Sequence, residues 1–205
     1  MRRGFRPYSV YARRVVPEAP LEQTEAGHVA SGDGWFVVNA RDARWVHREG
    51  RGAVLSFTGW WETDDEAEWR RVLSFPQFGV NLFVLAPGEP LAVYHGEDAQ
   101  EDFLVLAGRC VLLIEGGERP LTPWDFVHCP AWTEHTIVGA GEGSSVVLAV
   151  GARGADQIRF PFDEAAMRHG ASSGRDTTDG GEAYARFEPG RETPYRQGWL
   201  PEESF

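Results

Sequence analysis

Between Phe78 and Ala152 the sequence arrives as short apolar runs: FGVNLFVLA, LAVYH, DFLVLAG, RCVLLIE, DFVHCP, HTIVGA and SSVVLAVGA. Each is cut from the next by glycine, proline or acidic residues. Runs this short, rich in β-branched and aromatic residues, suit strands better than core helices. The breaks PGEP, GGERP and GAGEG carry residues that tolerate left-handed or proline-fixed backbone, as tight turns require. Seven such runs in about 75 residues, with no helical pattern alternating between them, predict an all-β sandwich or barrel and exclude a βαβ fold.

Around this block, GWFVVNA (34–40) and GAVLSFTG (52–59) read as two further strands, and Asp64–Val72 as a helix with acids in its first turn and arginines in its last. Residues 1–30 lack steady periodicity and read as an extended N-terminal arm. Residues 31–155 are expected to form the barrel. The last segment, 156–205, reads as an appendage: a strand-like QIRFP, a short helix FDEAAMRHG ending at Gly170, a Ser/Gly/Thr/Asp-rich loop, and a tail whose Tyr195 and Trp199 should pack on the barrel.

A net charge of −11 argues against nucleic acid or an anionic membrane surface as partner, since both need basic patches. No window approaches the apolar length of a membrane span. Cys110 and Cys129 sit in apolar strands with no secretory signal before them, so they are expected to be reduced core residues of a cytoplasmic protein.

The chemistry concentrates in YHGEDAQEDFLVLAG. Side chains two apart on a strand share a face, so Leu91, Val93, His95 and Glu97 fall together, and Glu101 falls with Phe103 and Val105. If the apolar members face the core, one imidazole and two carboxylates face it too. Buried carboxylates must protonate or find a cation, and a divalent metal is the economical answer. His135, opening the run HTIVGA after a proline turn, is the natural further ligand. A hydrated acid at a hairpin tip is the competing reading of Glu97. Tyr94 alternates away from His95 and is expected to face outward.

These residues resemble the first cupin signature: His95, Glu97, Glu101 and Gly108 stand in the pattern His-x-Glu-x3-Glu-x6-Gly, with glutamate at the second histidine and the leading glycine displaced by one, at Gly88. The second signature falls on Trp124–Gly139, keeping Pro130 and His135 but carrying Trp124, Trp132 and Gly139 where the family has Gly, Gly and Asn. The resemblance implies a jelly-roll β-barrel with N-terminal strands and a short C-terminal helical and loop appendage. It further implies one divalent metal ion per chain (Mn, Fe, Zn or Ni) on His95, Glu97, Glu101 and His135, a small-molecule ligand in the barrel, and a homodimer. His128 and Trp132 are candidates for the pocket wall, with barrel hydrogen bonding and plain packing as their alternatives. Two functions stay open: a mononuclear metalloenzyme, dioxygenase- or isomerase-like, acting on a small oxygen-rich substrate, or a non-catalytic small-molecule or metal-binding cupin.

Overall fold

The structure, a computed structural model, describes residues 16–31, 34–58, 75, 77–155 and 157–202. The helix expected over 64–72 lies outside the described residues. In chain order the strands are β1 (Leu21–Thr24), β2 (Gly27–Ala30), β3 (Trp45–Arg48), β4 (Gly52–Ser56), β5 (Phe78–Leu85), β6 (Gly96–Glu97), β7 (Glu101–Ala107) and β8 (Arg109–Ile114). They continue with β9 (Gly117–Leu121), β10 (Phe126–Cys129), β11 (His135–Ala140), β12 (Ser145–Ala152), β13 (Ile158–Arg159) and β14 (Arg191–Thr193). Two short helices, α1 (Glu164–Arg168) and α2 (Gly180–Tyr184), lie between β13 and β14.

Seven strands form one antiparallel sheet in the order β10-β7-β12-β5-β4-β3-β14, and β11-β8-β9 form a second. The main core lies between them. Val54, Phe83, Leu85, Phe103, Val105, Val127, Val147 and Ala149 from the large sheet meet Cys110, Leu112, Leu121 and Ile137 from the small one. This is the all-β arrangement expected from the apolar runs, and it agrees with the jelly roll that the resemblance implies.

The large sheet is buried on both faces. While Val54, Phe83 and Leu85 point between the sheets, their neighbours Ala53, Leu55, Leu82 and Val84 point outward, into a second cluster with Trp45, Tyr195, Trp199 and Leu200. The Trp199 ring lies 5.2 Å from that of Trp45 and the Tyr195 ring 6.3 Å from it. That outer cover explains why β4 and β5 read as nearly continuous apolar runs without polar alternation.

Some strand expectations fail for visible reasons. GWFVVNA is not a strand: Trp35 makes one isolated bridge to Glu18, Val37 is exposed, and Asn39 folds the chain into a turn by accepting from Asp42 N and Ala43 N. LAVYH is not one either. Leu91 N and His95 N do bond to β11, but Val93 N donates to the Tyr184 hydroxyl and Tyr94 N to Ala171 O. The appendage therefore takes donors that a regular ladder would use. Conversely, β9 was missed because GERPL is mostly polar and exposed, with Leu121 alone buried. It is an edge strand, where Pro120 lacks no partner.

Helix α1 forms as read, with Asp163 capping it by accepting from Ala166 N at 2.7 Å and Arg168 in its last turn. Helix α2 arises inside the loop-like GGEAY because Asp179 caps it in the same way. Tyr94 corrects the sequence reading: it does turn away from His95, but α1 and Ala171 cover that face, so Tyr94 is 1% exposed and its hydroxyl accepts from Gly116 N. None of the helices among the described residues is long and apolar enough to cross a membrane.

Candidate metal centre

The interior face of the large sheet is a ladder of rungs. The register places Val54, Phe83, Val147 and Val105 on one rung, Ser56, Asn81, Ala149 and Phe103 on the next, and Gly79, Gly151 and Glu101 on the third. The ladder thus runs from an apolar floor to a polar end. With glycine at 79 and 151, Glu101 is the one side chain on that rung. A cavity of about 750 Å³ results. His95, Glu97, Glu101 and His135 line it, as do Asn81, Phe83, Phe103, Ile137, the buried Arg48 and Arg51, and Tyr184 of α2.

His95 and His135 face Glu101 from the opposite wall, where the two histidines bridge each other through their backbones. His95 Nε2 lies 3.3 Å and His135 Nε2 3.2 Å from Glu101 Oε2. The three ligand atoms fall within 4.8 Å of one another. Nδ1 of His95 contacts Val93 O at 2.7 Å and Nδ1 of His135 contacts Thr133 O at 3.0 Å. Each Nδ1 therefore carries the proton in the neutral ring, which leaves the Nε2 lone pair aimed inward. An ionised carboxylate also only accepts. Among the described residues neither Glu101 Oε2 nor His135 Nε2 has a hydrogen bond of acceptable geometry, although both are buried. With both rings neutral, three lone pairs converge on one point; a proton or a divalent cation can supply the positive charge between them, and the N,N,O set is one that a divalent cation accepts.

The titration behaviour has the same origin. Burial opposes protonation of His135, but Cys129 and the Glu101 carboxylate beside it outweigh burial and lift it to about 9. His95 is likewise raised, burial being overcome by Glu101. Burial would raise Glu101, yet the two imidazoles hold it well below the usual carboxylate range. Glu97 is pushed up to about 7, first by burial and then by repulsion from Glu101.

The residues expected at the site fall into two groups. His95, Glu101 and His135 come together, and Glu97 lines the same cavity outside that tight group. His128 lies on the opposite face of β10, exposed, with Nδ1 2.6 Å from Asp102 Oδ1. The Trp132 backbone N–H donates to Glu97 O, while its ring is half exposed with Arg159 stacked 5.4 Å away. Neither His128 nor Trp132 is among the cavity-lining residues. Trp124 and Trp132 adopt φ of 76° and 70°, so the left-handed backbone that glycine usually supplies is retained here by bulky residues. At Gly139 a Cβ would come within 2.3 Å of Ala86 O, so only glycine fits. Sequence reading missed Arg48, Arg51, Asn81 and Tyr184. Of these, Asn81 alone carried a local signal, as the one polar side chain in the run Gly79–Leu85.

A family model for the cupin domain matches residues 81–151. No curated protein matches the chain. Among solved structures the chain is similar to a candidate sugar phosphate isomerase from Acidithiobacillus ferrooxidans (32% identity over 40% of this chain and 54% of that one, TM-score 0.38). It is also similar to a sugar phosphate isomerase of the cupin superfamily from Silicibacter pomeroyi (32% identity, 43% and 64%, TM-score 0.37). A third is a cupin 2 domain-containing protein from Halorhodospira halophila (21% identity, 47% and 66%, TM-score 0.40). The similarity spans less than two thirds of the length of each of these three chains. The matched segment runs from β5 to β12 and contains His95, Glu97, Glu101 and His135, so this part of the chain is a cupin domain.

Proposed function

We propose that this cupin holds one divalent metal ion on His95, Glu101 and His135, with Glu97 beside it, and acts as a mononuclear metalloenzyme on a small oxygen-rich organic molecule in isomerase- or dioxygenase-like chemistry. The observation that carries the reading is the convergence of three ligand atoms within 4.8 Å, two of them, Glu101 Oε2 and His135 Nε2, buried without a hydrogen-bond partner among the described residues, at the open end of a 750 Å³ cavity. A bound divalent ion supplies Lewis acidity toward a substrate oxygen. Around it, Phe83, Phe103 and Ile137 exclude water from the substrate body. Glu97, raised to about 7, is suited to give or take a proton near neutral pH.

The test is metal analysis of protein purified without chelator and offered Mn, Fe, Ni and Zn in turn, followed by turnover of candidate substrates. Near-stoichiometric retention of one ion is expected. Retention of none removes the metal reading, and retention without turnover leaves a non-catalytic metal-binding cupin. Retention should fall as pH drops from about 9, because protons compete for His135. The metal-free protein should behave in the opposite sense. Groups raised in the folded state stabilise it below their unfolded values, and that stability is lost as pH rises through about 7 for Glu97 and about 9 for His135. Melting curves of the apo and loaded forms across pH 6–10 are therefore expected to diverge. Identical profiles would contradict the assignment.

The proposal includes a homodimer. Its support is the open edge at β10, where Trp124 is 74% and Phe126 64% exposed. Light scattering should return twice 22.8 kDa. The mass of a single chain across micromolar concentrations would exclude the pairing.

A further inference from the structure

Asn81 sits on the middle rung of the ladder, between Ser56 and Ala149, on the face that carries Phe103 and, one rung on, Glu101. Its side chain lines the cavity. Its Oδ1 is buried and accepts no hydrogen bond among the described residues. Asparagine is disfavoured in strands, and its neighbours on this strand's inner face are Gly79, Phe83 and Leu85. A buried amide oxygen without a partner is a cost to folding that leucine at the same place would not carry. With no hydrogen-bond partner for its oxygen among the described residues, the carboxamide can turn either its oxygen or its NH2 to the cavity, so it matches a group that both donates and accepts.

We infer that Asn81 recognises a hydroxyl or amino group of the bound molecule, remote from the end held at His95, Glu101 and His135. The inference rests on the metal-centre reading above. Asn81 and Glu101 are one rung and two strands apart, roughly 10–12 Å between Cα atoms by ordinary strand spacing. The two ends of the ligand are then separated by a chain of about four to six heavy atoms, whose body lies against Phe83, Phe103 and Ile137. Asn81 is thus a specificity-determining residue: a ligand lacking the distal group leaves the carboxamide unpaired and is rejected.

Three ω-hydroxy acids, 4-hydroxybutanoate, 5-hydroxypentanoate and 6-hydroxyhexanoate, and their parent acids are suitable probes, each pair differing only in the distal hydroxyl. With metal-loaded wild type, calorimetry should give at least one hydroxy acid binding about tenfold more tightly than its parent. In Asn81→Leu that preference should vanish while metal content stays at the wild-type level, and the unliganded melting temperature should be equal to or above that of the wild type. Equal binding of each pair by wild type, binding of none of the six, or a preference that survives in Asn81→Leu overturns the inference. So does a fall in the melting temperature of more than about 2 °C, which would make Asn81 a structural residue. Failure of the metal reading is seen separately, as wild type without metal before any acid is added, and the sign of the melting shift then decides Asn81 alone.

Discussion

Substituting His135 or Glu101 by alanine is expected to lower the divalent metal content of the purified protein by at least tenfold while the far-UV circular dichroism stays that of the wild type. Each contributes one of three converging ligand atoms, and loss of even an outer hydrogen-bonding partner of a metal site costs about 10- to 100-fold in affinity. The fold should survive because β11 and β7 are held by backbone ladders to β8, β10 and β12 and by apolar neighbours, none of which depends on these side chains. Glu101→Gln separates charge from shape: it keeps the volume but removes the anion, and should fall nearly as far as Glu101→Ala. Glu97→Ala should do less, since Glu97 lies outside the tight group. Unchanged metal content in His135→Ala would show that the ion, if present, sits elsewhere.

The second large effect lies on the outer side of the large sheet. Trp45 is fully buried, donates from its indole nitrogen to Ala40 O at 2.8 Å, and is the surface on which Tyr195 and Trp199 rest. Trp45→Ala removes a large side chain at a site closed by both the sheet and the C-terminal segment. The expected cost is about 3–5 kcal/mol, which for a chain of this size lowers the melting temperature by roughly 6–20 °C. The same change should open residues 191–202 to proteolysis at a dose that leaves wild type intact, because their docking face has gone. A melting shift under about 2 °C would mean that this layer is not close-packed. Metal content should be unaffected, the site being on the other face.

How much was legible follows from the range of the interactions involved. The runs at 78–85, 101–107, 109–114, 126–129, 135–140 and 145–152 form strands because β-branched residues and flanking turn residues act locally. The Asp163 cap and Gly170, with φ of +64°, likewise mark the two ends of the α1 region within a few residues. The ligand cluster was legible in part: the period of two on β7 puts Glu101 with Phe103, whereas residues 91–95 are not a regular strand and His95 is placed by its backbone bridge to His135.

What the sequence by itself determined, then, is the set of strands with two-residue alternation and the inward face of three would-be ligands. Only the tertiary structure decided which outward faces meet water. Tyr94 and His128 both alternate away from the barrel interior, yet Tyr94 is buried because α1 and Ala171 return over it, whereas nothing described covers His128. Asn81 and Tyr184 reach one cavity from positions about a hundred residues apart, through sheet register in one case and the docking of α2 in the other. Strand β14 forms because β3, itself paired with β4, offers it a hydrogen-bonding edge. Such contacts depend on long-range pairing, and no local pattern of residues encodes the partner.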